Sequence, residues 1–224
     1  MRNDLILPKC QLAESLLECG IVAVVRGAKA QKVVNIAKAL ESGGVTAIEV
    51  TMDTPGAIEM IKTVVAEIGD RAVIGAGTVL DAETARAAIL AGAEFIFCPS
   101  LHQDVIRVAN RYGKVVIPGV MTPTEIINAY EMGADLLKVF PAGVLGPRYF
   151  KEVAGPFKHI PLMPSGGVTL ENAAEFIKAG SVALGVGGAL IDKEAVAGEQ
   201  YEVLTERAKK FVKVVRQARS ELKK

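Results

Sequence analysis

Short apolar runs alternate with amphipathic stretches along the chain from Ile21 onward. The apolar runs have the length and near-continuous hydrophobic character of strands buried in a parallel sheet. There are eight such runs: Ile21–Arg26, Thr46–Thr51, Ala72–Gly77, Glu94–Cys98, Val115–Val120, Leu136–Phe140, Pro161–Ser165 and Val182–Gly187. Helical patterns follow them at Gln31–Glu41, Pro55–Ile68, Ala82–Ala91, Gln103–Arg111, Pro123–Met132, Arg148–Val153, Leu170–Ala179 and from about Tyr201 to Lys223. The weakest of these patterns is Arg148–Val153.

This alternation predicts an α/β fold in which eight strand–helix units close into a parallel (β/α)8 TIM barrel. An extra helix is expected around Lys9–Glu18, before the first strand. A doubly wound open sheet is the alternative, although it would more often have five or six strands and a switch point. No linker or low-complexity tract interrupts the pattern, so residues 1–224 are expected to form one domain.

Composition narrows the function classes. The 26 Lys and Arg residues nearly balance the 25 Asp and Glu residues, so no basic surface for nucleic acid or an anionic membrane is expected. The three cysteines have no metal-type or C-x-x-C spacing, which favours a reducing compartment. The segment Met1–Cys10 is too poor in apolar residues for a signal peptide, and no apolar run approaches the roughly 18 residues of a membrane span. The expectation is a cytoplasmic protein.

One strand carries a lysine at its centre. In the sixth apolar run, Leu137 and Val139 share the face that must meet the helices, so Lys138 points into the barrel. By the same alternation Glu49 points inward from the second strand, which lies across the barrel. A buried lysine is costly unless it is paired or loses its proton, and a neutral amine attacks ketones to form Schiff bases. A buried ion pair that only closes the barrel is the structural alternative.

Glycine-rich loops end three of the predicted strands. Ser165-Gly166-Gly167 ends the seventh, Gly185-Val186-Gly187-Gly188 ends the eighth, and Thr78 follows Gly75-Ala76-Gly77 of the third. Loops after strands seven and eight of such barrels commonly hold a phosphate through backbone N–H groups, because glycine lets the anion approach. The alternative is that these glycines only form tight turns. Arg26, at the end of the first strand, is expected to bind an anion or to form a surface salt bridge.

These residues together resemble the 2-dehydro-3-deoxy-phosphogluconate (KDPG) and 4-hydroxy-2-oxoglutarate (KHG) aldolase family, from about Gly20 to Asp192. The resemblance is carried by Ile48-Glu49-Val50-Thr51, Gly75-Ala76-Gly77-Thr78-Val79, Ile117-Pro118-Gly119-Val120, Leu137-Lys138-Val139-Phe140-Pro141, Gly155-Pro156-Phe157 and Pro164-Ser165-Gly166-Gly167, in this order. It implies a metal-free and cofactor-free enzyme that is usually a homotrimer.

The resemblance also implies roles for individual residues. Lys138 would be the Schiff-base lysine, Glu49 the general acid/base and Thr78 a ligand of the pyruvate carboxylate. Ser165, Gly166 and Gly167 would form part of the phosphate site, and Pro99, Phe140, Gly187 and Gly188 complete the predicted substrate-binding set. Some members carry an arginine four residues after the glutamate, where this chain has Asp53, so Arg26 is the predicted replacement.

The resulting hypothesis is a lyase for a small 2-oxo acid, expected to be phosphorylated. It would cleave KDPG to pyruvate and glyceraldehyde 3-phosphate, or 4-hydroxy-2-oxoglutarate to pyruvate and glyoxylate. Two alternatives remain at the level of sequence. One is a phosphate-binding barrel such as an isomerase, with Glu49 as base and no imine. The other is a non-catalytic or engineered oligomeric scaffold built on the same barrel.

Overall fold

The structure is a computed structural model that describes residues 7–222. The strands are β1 (Ile21–Val25), β2 (Ala47–Thr51), β3 (Val73–Gly77), β4 (Phe95–Phe97), β5 (Val115–Ile117), β6 (Gly119–Val120), β7 (Leu137–Val139), β8 (Leu162–Pro164) and β9 (Leu184–Val186). The helices are α1 (Pro8–Cys19), α2 (Ala30–Ser42), α3 (Ala57–Ile68), α4 (Ala82–Leu90), α5 (Gln103–Arg111), α6 (Pro123–Glu131), α7 (Ala142–Ala154), α8 (Leu170–Lys178), α9 (Lys193–Ala197) and α10 (Tyr201–Glu221).

The strands pair in parallel throughout. Six of them form a sheet in the order β5-β4-β3-β2-β1-β9, and three form a second sheet in the order β6-β7-β8. A bridge between Ser165 and Gly185 joins the second sheet to β9. At the other edge, β5 and β6 are separated only by Pro118. The strands therefore form a curled parallel sheet with helices on its outer face.

The fifth predicted strand and the sixth predicted helix differ from expectation. Val115–Val120 is divided into β5 and β6 because Pro118 has no N–H to donate to the ladder. The helix predicted at Arg148–Val153 begins at Ala142 instead, and it is kinked where Gly146 (φ 69°, ψ 172°) leaves the helical region before Pro147. The short helix α9 was not predicted at all.

Buried side chains form two hydrophobic layers. Ile48, Val50, Leu137 and Val139 belong to the outer layer, which packs between the sheet and the helices. The inner layer lies inside the curled sheet: Val22, Ala47, Phe95, Phe97, Val115, Ile117, Leu136, Met163 and Ala183, together with Leu16 of α1. The alternation predicted for the second and sixth apolar runs is thus confirmed.

Helix α1 lies at the amino end of the strands. Leu16 is buried in the inner layer, and Leu12, Ala13 and Leu17 pack around it. The guanidinium of Arg219, on α10, donates to the carbonyl oxygens of Leu17 and Glu18 at the end of α1. Helix α1 therefore covers the inner layer at the amino end of the strands and leaves the carboxyl end of the strands open.

Capping residues fix where two of the outer helices begin. The backbone N–H of Thr84 donates to the Asp81 carboxylate at 2.6 Å, and Thr122 and Glu125 form a reciprocal capping box.

Residues 7–222 contain no helix that is both long enough and apolar enough to cross a lipid bilayer. Two sequence-based expectations fall outside these residues. They are the character of the segment before Leu7 and the end of the last helix at Lys223.

Candidate active site

Lys138 lies in the interior of the sheet, as its strand position predicts. It is the central residue of β7, between Gly119 of β6 and Met163 of β8, and only 4% of it is exposed. Its Nζ lies 4.2 Å from the centroid of the Phe97 ring and 4.8 Å from that of Phe140. The amine is therefore enclosed by aromatic surface.

Glu49 is the second buried titratable side chain, with 1% of its surface exposed. It is the central residue of β2, which is buried along its whole length. Its Oε2 atom has no hydrogen-bond partner among residues 7–222. A buried carboxyl oxygen without a partner is costly in a structural role, but it is available to a bound reactant.

Burial shifts the pKa values of both groups towards their neutral forms. Loss of hydration raises the pKa of Glu49 to about 8, an effect that nearby Lys138 and Arg26 partly oppose. Loss of hydration likewise lowers the pKa of Lys138, while Glu49 opposes the shift. The two groups thus interact through space, yet no hydrogen bond or ion pair joins them. The arrangement holds an amine and a carboxyl group at the same buried site without a salt bridge between them.

Arg26 connects the carboxyl ends of three strands. Its Nη2 donates to Oγ1 of Thr78 at 2.9 Å, and its Nε lies 3.7 Å from a carboxylate oxygen of Asp53. Thr78 has a φ of 55°, which is uncommon for a β-branched residue. Arg26 thus forms the surface salt bridge that was one expectation, with Asp53 as its partner. Its guanidinium also contacts Thr78, a predicted ligand of the substrate carboxylate, which supports the other expectation of anion binding. About half of the Arg26 side chain remains exposed and able to bind an anion.

A cavity of about 520 Å³ opens beside Lys138 at the carboxyl end of the strands. Its walls combine the predicted phosphate loops with residues from other elements. The lining contains Arg26, Lys138, Phe140, Ser165, Gly166, Gly167, Gly187 and Gly188 from the predicted set, and also Val24, Val168, Thr169, Gly185, Ala189, Ile191 and Lys193. The structure thus gathers eight of the eleven predicted site residues around one space.

The other three predicted residues lie outside this lining. Glu49 and Thr78 are linked to it, the first through its electrostatic effect on Lys138 and the second through its hydrogen bond with Arg26. Pro99 is placed differently, with its backbone packed against Gly119. A Cβ added to Gly119 would collide with the backbone of Pro99.

Sequence analysis missed two features near the reacting groups. Phe97 lies under the amine of Lys138, and its alternation with Phe95 along the fourth strand was the available signal. Lys193 reaches the cavity as the first residue of α9, a helix that no pattern predicted. Among residues 7–222, no group of three or more His, Cys, Asp or Glu side chains is arranged to hold a metal ion.

Comparison with known proteins gives one consistent result. The family model described as "KDPG and KHG aldolase" matches residues 12–207. The 2-dehydro-3-deoxy-6-phosphogalactonate aldolase of Escherichia coli (strain K12) is 37% identical over 199 residues, which cover 88% of this chain and 95% of that protein.

Two solved structures are also similar. KDPG aldolase from Legionella pneumophila, with pyruvate captured as a covalent carbinolamine, has a TM-score of 0.82 and 26% identity, and the match covers 89% of this chain and 97% of that one. A designed cube-shaped protein cage, made by fusing symmetric oligomeric domains, has a TM-score of 0.85 and 36% identity, with 91% of this chain and 74% of that chain covered. Fold, site geometry and sequence agree, and the chain belongs to the KDPG and KHG aldolase family.

Proposed function

We propose that this aldolase works through an imine on Lys138 and cleaves a phosphorylated 4-hydroxy-2-oxo acid, with Glu49 as general acid and base. The enzyme is a carbon–carbon lyase of class I, and the proposal assigns its residues and its substrate. The observation that carries it is the buried pair itself: an amine and a carboxyl group, both shifted towards neutrality and not bonded to each other. A structural ion pair would instead hold its partners in contact.

The first half of the reaction makes the electron sink. The neutral amine of Lys138 adds to the C2 ketone and forms a carbinolamine. Glu49, whose pKa of about 8 keeps it largely protonated at neutral pH, donates a proton to the departing hydroxyl group, so that water leaves and a cationic iminium remains. The glutamate is left as a carboxylate.

The second half breaks the carbon–carbon bond. The Glu49 carboxylate accepts the C4 hydroxyl proton, the C3–C4 electron pair moves into the iminium, and an aldehyde departs. Glu49 donates that proton to C3 of the remaining enamine, water hydrolyses the resulting iminium to pyruvate and the free Lys138 amine, and the proton released returns to Glu49. Every proton that Glu49 gives in the first half is regained in the second, so the pair returns to its starting state.

The substrate is held at both ends in this proposal. Arg26 and Thr78 bind the carboxylate beside the reacting ketone, and Arg26 takes the place of the arginine that Asp53 replaces. Ser165 and the glycine loops at 166–167 and 187–188 receive the phosphate, since backbone N–H groups there can approach an anion without obstruction. The Escherichia coli relative acts on a phosphogalactonate-derived acid, as its name states. Phe140 lines the cavity between the carboxylate end and the phosphate end of the substrate. Pro99 shapes the substrate site at the carboxyl end of β4.

The same proposal covers the architecture. Residues 7–222 form one domain, a (β/α)8 barrel in which β5 and β6 are halves of the fifth strand and α1 is the additional N-terminal helix. The bridge between Ser165 and Gly185 supports closure on one side, and the short connection through Pro118 supports it on the other. The protein works in the cytoplasm as a homotrimer. Exposed apolar side chains such as Leu90 and Val144 could be covered by neighbouring copies.

Turnover on a small set of substrates tests the proposal. Pyruvate release from KDPG, from its galactonate-derived epimer and from 4-hydroxy-2-oxoglutarate is followed with a coupled dehydrogenase. Light scattering on the same sample is expected to give three times the 23.6 kDa of one chain. Cleavage of either six-carbon phosphate supports the assignment. A folded oligomer that releases no pyruvate from any of them would instead be a scaffold, and the assignment of activity would be wrong.

A further inference from the structure

We infer that Lys193 determines specificity, by contacting the phosphate of the substrate at the mouth of the cavity. The inference rests on the proposed function, since it concerns the far end of the substrate that Lys138 attacks. It makes a prediction about substrate choice: Lys193 favours a phosphorylated acid over the same acid without its phosphate.

The charge of the cavity lining supports this inference. Two cations, Arg26 and Lys193, contribute to the outer part of the wall, and the amine of Lys138 lies further in. None of the residues that line this cavity is an aspartate or a glutamate. A concave surface with cations and no acids among its lining residues attracts a ligand that carries several negative charges. A phosphorylated sugar acid has such a charge at each end.

Lys193 differs from Arg26 in having no acidic partner. Arg26 lies against Asp53, whereas Lys193 forms no ion pair or hydrogen bond with any residue in the 7–222 range. Two acids flank it in sequence: Asp192 accepts from the N–H of Ala195 and pairs with Arg207, and Glu194 forms no ion pair with Lys193. The ammonium group of Lys193 is therefore available to an incoming anion.

The loop that leads from β9 to Lys193, at the start of α9, is held in place by the same network. Arg207 also donates to the carbonyl oxygen of Ala189, and the N–H groups of Leu190 and Ile191 both donate to the carbonyl of Gly187 at 2.9 Å. Leu190 is fully buried beneath the loop. These contacts tie the backbone before Lys193 to the glycine loop after β9, so the lysine and the glycine N–H groups can act on one phosphate.

The glycines explain why a phosphate fits between them. Gly188 has no heavy atom within 4 Å of the position where a Cβ would be, so an anion can approach its backbone. At Gly166, which also lines the cavity, a Cβ would meet the Phe140 ring at 2.9 Å. Neither glycine covers its own backbone with a side chain, and Lys193 supplies the charge that glycine cannot.

The test compares Lys193→Met with wild type on KDPG and on the same six-carbon acid without its phosphate. Lys158→Met is the matched control. Lys158 is also exposed and without an ion pair in the described chain, but it lies before β8, at the opposite end of the strands. For Lys193→Met we expect the KM for the phosphorylated acid to rise about three- to ten-fold with kcat nearly unchanged, because an exposed charge pair contributes equally to ground-state and transition-state binding. The KM for the unphosphorylated acid should stay within about twofold.

Two further measurements separate this inference from the proposed function. Lys193→Arg should keep most of the wild-type selectivity, since it keeps the charge. Trapping of the pyruvate imine should be as fast in Lys193→Met as in wild type, because pyruvate has no phosphate. Intact trapping with equal KM changes for both acids, or changes no larger than in Lys158→Met, would overturn the role of Lys193 alone. A wild-type enzyme that traps pyruvate but shows no preference for the phosphorylated acid would overturn it as well.

Discussion

Gly77 lies so close to Glu49 that a methyl group on its α-carbon would collide with the Glu49 carboxylate. The two residues are on adjacent strands, β3 and β2, and both are buried. The absence of a side chain at position 77 thus creates the space in which the carboxyl group sits. This relationship explains a glycine that the sequence alone would assign to a tight turn.

Gly77→Ala is therefore expected to impair catalysis more than folding. The added methyl group must displace the carboxyl of Glu49, and a misplacement of about 1 Å can cost about 10²-fold in rate. We expect kcat to fall by about that factor while the circular dichroism spectrum is retained. Gly198→Ala is the control, because a Cβ there meets only ordinary contacts at 3.5 Å or more. Equal kcat values for the two variants would show that the contact with Glu49 is unimportant.

Glu49→Gln is expected to slow turnover without preventing imine formation. The amide keeps the size of the side chain but cannot exchange protons, and general acid–base catalysis contributes about 10²–10⁴-fold. We predict a loss of kcat in that range, with a pyruvate adduct still trapped slowly on Lys138. Glu59→Gln, at an exposed ion pair with Lys62, should leave kcat unchanged. Wild-type kcat in Glu49→Gln would exclude this residue as the proton carrier.

The raised pKa of Glu49 makes stability depend on pH. The unfolded chain releases this proton near 4.5, whereas the folded protein holds it until about 8. Between these values the folded state binds more protons, so its free energy of unfolding decreases as pH rises through the interval. Glu49→Gln lacks this titration and should gain stability relative to wild type from pH 5 to pH 8.

Urea denaturation of both proteins at the two pH values measures that difference. Lys138 is present in both, so the comparison reports mainly on Glu49. A difference in unfolding free energy that is the same at pH 5 and pH 8 would contradict the raised pKa.

The sequence predicted which strand side chains point inward better than it predicted the contacts that these side chains make in the site. Alternation with a period of two was enough to turn Glu49 and Lys138 inward, because the apolar residues beside each of them must meet the helices. The same rule could have placed Phe97 beneath the lysine. Local patterns succeed here because each concerns a single strand.

Features that depend on distances between elements could not be predicted. The collision that makes Gly77 necessary involves two adjacent strands, and the hydrogen bond from Arg26 to Thr78 spans 52 positions in the chain. Arg207 of α10 holds the loop that precedes Lys193, through Asp192 and Ala189, and this contact has no sequence signal. The backbone of Pro99, a residue predicted at the substrate, packs against Gly119, and this contact depends on strand register that the sequence does not reveal.

The central claim is that Lys138 is the amine that forms the imine, and borohydride reduction in the presence of pyruvate tests it most directly. We predict one reduced pyruvate adduct per chain, located by peptide mass spectrometry on Lys138 and absent from a folded Lys138→Met variant. No adduct on the wild-type protein, or an adduct on another lysine, would contradict the account.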